Sequence, residues 1–251
     1  MSIEEERIKQ DMIQVGRDLY HKGLLVGTDG NISVRISENE LFITASGFCK
    51  GRLQPEHITK VDLNGRVLEG LKPARDIRMH LAVYKERAEV KAVVHAHPPI
   101  TTGFAMSEIS FDKVALPEVL FVINSIGVTG YTTPTTIEVP MEVAKTLQRD
   151  KECQALILAN HGALTLGQDV YDAFYKLETL EMFLKATLVS KMVGNTRYLN
   201  EDQLQKVDLL KKGADPDEVV PPSRAYGQQP NEEEMVRFIT SKVQEILKGM
   251  L

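Results

Sequence analysis

Two histidines stand one residue apart at the end of an apolar run in Val93-Val94-His95-Ala96-His97-Pro98. On a strand, positions i and i+2 face the same side, roughly 7 Å apart at Cα. Both imidazoles can therefore turn toward one ion. Zn2+ and similar divalent ions accept imidazole nitrogen, and a catalytic site needs a third protein ligand plus an open position for water or substrate. His161 supplies that third ligand if the strand ends meet, because Asn160-His161-Gly162 directly follows a second apolar run, Ala155–Ala159. Read alone, the His-X-His pair is equally a pair of ordinary strand-end histidines, and His161 is what turns the reading toward a metal centre. His80 falls four residues after Asp76, on one face of a helix, and reads as a packed or supporting residue. His21 and His57 stand in polar surroundings and read as solvent-facing.

Two glycine-containing loops could bind an anion. Val26-Gly27-Thr28-Asp29-Gly30-Asn31 has glycines at i and i+3, which leaves backbone N–H groups free to point at negative charge. It is neither a dinucleotide fingerprint nor a P-loop, since it runs from helix to strand and no Gly-Lys-Ser/Thr follows. Thr44-Ala45-Ser46-Gly47 again ends a strand with hydroxyls and a glycine. Each is a turn when taken singly, and together they suggest a polar pocket.

The elements that must position these residues alternate. Ile8, Met12, Ile13, Val15, Leu19 and Tyr20 recur at helical spacing over 3–21, and Lys22-Gly23 supplies a stop. Strands are expected at 32–36, 41–44, and 59–63 with 67–68, the last two joined by Asn64-Gly65, a preferred two-residue hairpin turn. A helix is expected over 76–87 and a buried strand over 90–95, then strand-like runs over 119–128, a helix over 141–149 and a buried strand over 155–159. Helices follow over 170–193, 201–212 and 231–247, the last beyond a Pro/Gly-rich connector at 213–230. The expected organisation is one domain over 1–212 with a connector and helix over 213–251, a tail too short to be a domain.

Composition narrows the class. The chain has 251 residues, 43% hydrophobic and 26% charged, as ordinary globular proteins do. With 30 Lys and Arg against 35 Asp and Glu the net charge is −5, and without a long basic run general nucleic-acid binding is not expected. Two cysteines, Cys49 and Cys153, without Cys-X-X-Cys spacing fit a reducing cytoplasm rather than a disulfide scaffold. No apolar stretch approaches the roughly 20 residues that cross a bilayer, so no membrane anchor is expected.

Gly27-Thr28-Asp29-Gly30-Asn31-Ile32-Ser33-Val34-Arg35, Ile43-Thr44-Ala45-Ser46-Gly47, Val94-His95-Ala96-His97-Pro98 and Asn160-His161-Gly162, in this order, resemble the class II aldolase/adducin family over roughly residues 5–200. The resemblance implies an α/β fold, a single three-layer α/β/α domain with a central, largely antiparallel sheet. It also implies a homotetramer with active sites between subunits. It implies a metal-dependent lyase of the L-fuculose-1-phosphate aldolase kind, which cleaves a ketose phosphate through a metal-stabilised enediolate. Related readings are an L-ribulose-5-phosphate 4-epimerase or a sugar-acid phosphate decarboxylase. By resemblance His95, His97 and His161 are the ligands of Zn2+, or of another divalent ion such as Mn2+ or Co2+. Thr28, Gly30, Asn31, Ser46 and Gly47 match the loops that cradle the substrate phosphate. A non-catalytic adducin-like interaction module typically lacks these histidines.

The chain departs from the family at several points. Aldolases of this kind carry Pro-Ser-Ser-Glu where this chain has Pro73-Ala74-Arg75-Asp76, so both phosphate-binding serines are missing. Arg75 can replace them with a bidentate cation, or it is a solvated helix-start residue. Asp76 takes the place of the acid/base glutamate one methylene shorter, as in the epimerase branch, and also suits a helix N-cap. Phe121 stands where a tyrosine acid is expected, which leaves Glu118 as a replacement or as a surface glutamate. By resemblance Tyr226, in the connector, closes over a neighbouring subunit's site, as C-terminal tyrosines do in relatives.

Overall fold

The computed structural model describes residues 2–107 and 115–214. Its first compact unit runs to Leu204, and a second begins at Gln205. The expected helix over 231–247 and Tyr226 lie outside the described residues.

Helix α1 (Ile3–His21) opens on a capping box: Ser2 Oγ accepts the Glu5 N–H, and the Glu5 carboxylate accepts the Ser2 N–H. Strands β1 (Asn31–Arg35), β2 (Glu40–Thr44), β3 (Ile58–Asp62) and β4 (Val67–Glu69) follow, and Asn64-Gly65 turns the β3–β4 hairpin with Gly65 at φ 82°. Helix α2 (Ile77–Glu86) leads into β5 (Ala92–Ala96) and α3 (Pro99–Ala105). The run expected as strand over 119–128 divides into α4 (Pro117–Val122) and β6 (Ser125–Val128). Pro117 sits in the first turn of α4, where its fixed φ favours a helix, and Asn124 at φ 67° breaks the chain between the two.

Helix α5 (Glu138–Arg149), β7 (Cys153–Leu158), β8 (Gly162–Gly167), α6 (Val170–Val193) and α7 (Glu201–Lys211) complete the described chain. Strand β8 was not expected from the sequence. Its six residues, Gly162-Ala163-Leu164-Thr165-Leu166-Gly167, are all buried, and so short an apolar run between glycines carries little periodic signal.

The eight strands form one sheet in the order β4-β3-β2-β1-β5-β8-β7-β6. Every pairing is antiparallel except β6 with β7. Successive side chains point to opposite faces. Ile32, Val34, Ala92, Val94 and Ala96 therefore join a core with Met12, Phe104, Val119 and Leu177 from α1, α3, α4 and α6. Val93 joins a second core with Met79, Val83, Val143 and Leu147 from α2 and α5. The result is the expected three-layer α/β/α arrangement around a largely antiparallel sheet. The odd positions of β5 face α2, so His95 shares a face with the helix that begins at Asp76. Among the described residues no helix is long and apolar enough to cross a membrane.

Candidate metal centre and substrate pocket

The three histidines meet because β8, not β7, lies beside β5. Ala96 pairs with Ala163, and His161 sits in the tight β7–β8 turn immediately before β8. Asn160 holds the left-handed conformation of that turn at φ 55°, which asparagine tolerates better than most residues. Gly162 then passes so close to β5 that a Cβ there would lie 2.6 Å from the Ala96 carbonyl and 2.6 Å from the His97 ring. A side chain at that position would push His161 away from its two partners.

The ligand-capable atoms of His95, His97 and His161 all lie within 4.8 Å of one another. His95 is fully buried, and its Nδ1 donates to the Ala163 carbonyl at 2.8 Å, which leaves the Nε2 lone pair for an ion. His97 Nε2 lies 3.2 Å from His95 Nε2, while its Nδ1 faces Asp29 Oδ2 at 3.5 Å. Burial, then the neighbouring His161 and His97, hold His95 well below the usual imidazole range, and burial followed by His97 lowers His161. Neutral imidazoles with convergent lone pairs are the donor set that a divalent ion of the zinc type requires, so these residues fit such an ion.

Asp29 faces His97 from outside the histidine cluster, and a carboxylate so placed beside a metal-binding imidazole ordinarily contributes one to two orders of magnitude to metal affinity. Asp29→Asn is therefore expected to weaken metal binding by roughly 10–100-fold with the fold intact, measured by competition with a chelating dye.

Helix α3 begins two residues after His97. Its exposed N–H groups are held by Glu181 of α6, whose carboxylate accepts from Ile100 N at 2.9 Å, from Thr101 N at 2.7 Å and from Thr101 Oγ1 at 2.7 Å. This clamp anchors the chain directly after the His95–His97 pair.

Asp76 occupies the N-cap position of α2, yet its side chain makes no capping hydrogen bond. Its Oδ2 accepts from Asn31 Nδ2 at 3.0 Å and lies 4.0 Å from His95 Nε2. The side chain is thus committed to the side of the histidine cluster rather than to the helix. Asn31 is the β1 residue opposite His95 in the register, so the first glycine loop is delivered to the site by strand pairing. Because the carboxylate takes the Asn31 amide N–H, the amide oxygen faces His80, and His80 Nε2 donates to it. His80 Nδ1 then accepts from Ser33 Oγ at 2.7 Å, and Ser33 accepts from Tyr84 Oη at 2.8 Å. Burial keeps both ends of this chain neutral, pushing His80 down to about 3 and Tyr84 upward. Asp76 and His80 do not meet directly, as helical spacing suggested they could; Asn31 bridges them.

A cavity of about 460 Å³ opens here, lined by Thr28, Gly30, Asn31, Ser46, Gly47, Arg75, Asp76, His97 and His161 among others. The Ser46 loop reaches it because Ser46 N donates to the Lys72 carbonyl and Ala45 bridges Pro73, which lays Arg75 and Asp76 alongside. His57, expected at the surface, is half-buried and stacks on Phe48 with ring centroids 3.8 Å apart, steadying the same loop. Glu118 is exposed in the first turn of α4 and is not among the residues lining the cavity. Phe121 lines a separate crevice with Val90, Cys153 and Gly167, at the opposite ends of β5, β7 and β8 from the histidines.

Lys50, Pro134 and Thr135 line the cavity without having been singled out in the sequence. Lys50 reads there as one more loop lysine. Thr135 lies in the Thr-rich stretch 132–136, which has no periodic pattern, and holds φ 68°, a conformation threonine seldom adopts.

Comparison with known proteins agrees with this geometry. Residues 10–188 match the family model described as the Class II Aldolase and Adducin N-terminal domain. A 3-oxo-tetronate 4-phosphate decarboxylase of Haemophilus influenzae is 32% identical over 211 residues, covering 82% of this chain and 97% of the relative. An L-fuculose phosphate aldolase of Methanocaldococcus jannaschii is 33% identical over 185 residues, covering 74% and 98%. Among solved structures, an L-fuculose 1-phosphate aldolase superposes with a TM-score of 0.75 at 28% identity, covering 85% of this chain and 97% of that one. With its three histidines converging as the sequence resemblance implied, the chain belongs to the class II aldolase and adducin family, on its enzymatic side.

Proposed function

We propose that the chain is a metal-dependent lyase that cleaves a ketose phosphate by retro-aldol reaction, with His95, His97 and His161 holding Zn2+ or a related ion such as Mn2+ or Co2+. The observation that carries the reading is Asp76, a carboxylate released from helix capping and set 4.0 Å from His95 Nε2 at the cavity. When bound, a divalent ion supplies Lewis-acid polarisation of the substrate carbonyl. Three neutral imidazoles add no charge of their own to offset it.

Asp76 takes the proton from the hydroxyl of the departing carbon as the C–C bond breaks. It returns a proton to the carbon of the ketone fragment, so that an aldehyde and a ketone leave. Asn31 holds the carboxylate at that station. The backbone N–H groups of the Gly30 and Gly47 loops, with Thr28, Ser46 and Arg75, receive the phosphate. The modest negative charge of the chain gives no broad basic field, so capture of the anion falls to these local groups.

Decarboxylation of a 3-oxo sugar-acid phosphate is the second reading. Arg75 in place of a serine favours it, since a guanidinium can hold a substrate carboxylate, as does the likeness to the H. influenzae decarboxylase. In that reaction carbon dioxide leaves without a hydroxyl proton to remove, and Asp76 acts only as the acid that protonates carbon. An epimerase-like outcome, suggested by an aspartate at this position, would conserve the carbon count.

A carbon-13 NMR time course of the metal-loaded chain on ketose 1-phosphates, pentulose 5-phosphates and 3-oxo-acid phosphates separates the three. Dihydroxyacetone phosphate plus an aldehyde is the expected result on the ketose 1-phosphates. Carbon dioxide from an acid phosphate alone would transfer the assignment to the second reading, an isomerised pentulose phosphate with its carbon count conserved to the third, and an inert panel would refute all three.

A homotetramer with sites between subunits completes the proposal. Glu118, exposed on α4, and Tyr226 are then residues that reach a neighbouring subunit's cavity. A native mass of one chain in solution would refute this part.

A further inference from the structure

Lys50 is 1% exposed and still lines the substrate cavity. It sits in a short 3-10 turn (Lys50–Arg52) pressed against α1 at two glycines. A Cβ on Gly16 would lie 2.6 Å from the Lys50 carbonyl, and one on Gly51 would lie 2.5 Å from the Tyr20 ring. That contact leaves the lysine backbone no room to shift. The side chain runs inward, and its Nζ donates to the Thr28 carbonyl at 2.8 Å and the Phe48 carbonyl at 2.7 Å. These carbonyls belong to the two glycine loops, so a single ammonium joins both halves of the anion cradle.

An ammonium carries three donors, and the two carbonyls use two of them. Among the described residues no carboxylate forms an ion pair with Lys50, although Asp29, Asp76 and the Cys49 thiol face it at longer range. Burying a cation without a paired anion is costly, and here burial pushes the group down to about 8. Two neutral-acceptor contacts could be met by an uncharged donor. What a charge adds is attraction for an anion. Of the cavity-lining side chains the cations are Lys50 and the exposed Arg75, set against the carboxylates of Asp29 and Asp76.

We infer that Lys50 is the fixed cation of the anion subsite, locking the Thr28 and Phe48 loops together and drawing the substrate's phosphate between them in place of the missing serines. The inference rests on the sugar-phosphate reading above and adds to it a determinant of specificity: the substrate's anion is received between the Thr28 and Phe48 loops, where the cavity offers a buried cation.

The test titrates the metal-loaded chain with inorganic phosphate and, separately, with neutral dihydroxyacetone. Lys50→Gln keeps a donor for the carbonyls and removes the charge, while Lys50→Met removes both. Both variants are expected to bind phosphate at least tenfold more weakly than wild type, with dihydroxyacetone affinity and metal content unchanged. Phosphate affinity unaltered in Lys50→Gln would overturn the inference and leave the lysine a clamp between loops.

Should neither variant fold, wild type decides the matter. Phosphate affinity is expected to weaken from pH 8 to 9.5 as the ammonium discharges, in Cys49→Ser as well, and a flat profile would overturn it. Phosphate binding that depends on Lys50 in a chain that turns over no sugar phosphate would fail the reaction but not the subsite. Turnover that ignores Lys50 would do the reverse.

Discussion

His97→Ala is expected to yield a folded chain without its stoichiometric metal ion and with turnover reduced to background. His97 is the variant to make because it is only half-buried and lies just past the end of β5. His95→Ala would instead open a void in the interior and strand the Ala163 carbonyl that His95 Nδ1 now satisfies, so lost activity there would be confounded with lost stability. Removing one of three ligands leaves a two-imidazole site too weak to retain an ion through purification. A polarised carbonyl is worth several kcal/mol of transition-state stabilisation, so kcat is expected to fall by roughly three orders of magnitude or more. Metal content by atomic emission and turnover should fall together. A His97→Ala chain that keeps both full metal and full activity would show that these histidines are not the centre. A wild-type chain that binds no ion would favour a non-catalytic interaction module.

Asp76→Asn is expected to separate binding from chemistry. Asparagine is nearly isosteric, and its amide oxygen can still accept from Asn31 Nδ2, so the bridge Asn31–His80–Ser33–Tyr84 stays intact. Metal content and substrate affinity should therefore be retained. The side chain can no longer exchange a proton, and loss of a general acid/base typically costs about 10²–10⁴-fold in rate. A kcat within about tenfold of wild type would move the proton transfers to another group. The exposed Glu118 would be next, examined as Glu118→Gln in the assembled oligomer.

How much of this was legible beforehand follows from the range of the interactions involved. The His-X-His pair, the two glycine loops and the Asp76 position are local patterns, and all of them line or adjoin one cavity. Helices α1, α2, α5 and α6 were legible because each buries one stripe or is long enough to show its period. The failures occurred where local signal is short or ambiguous. Residues 117–122 are apolar enough to read as strand, yet Pro117 starts a helix and Asn124 ends it. Strand β8 has six residues and no polar alternation, since both faces of the sheet are covered there. Without β8 the approach of His161 to His95 has no visible cause: the sequence rightly placed His161 just past β7, but not that the next strand returns beside β5.

Asp76 shows the limit from another side. Its sequence context permits a cap or an acid/base, and only the position of Asn31, 45 residues earlier and paired with His95 across β1 and β5, draws the carboxylate away from the helix. Lys50 had no distinguishing context at all. Its meaning arises from a turn packed on Gly16 and from carbonyls that belong to two separate loops.

By itself, then, the sequence singled out three candidate ligand histidines and two candidate anion loops, because residue type and spacing are written along the chain, and its resemblance to a known family implied the layered α/β class. The tertiary structure decided which carboxylate faces the metal centre, which strand carries His161 to it and which lysine is sealed beneath the anion loops. Each of those depends on strand order and on backbone approaches of a few ångströms between segments far apart in sequence, and no local pattern encodes such approaches.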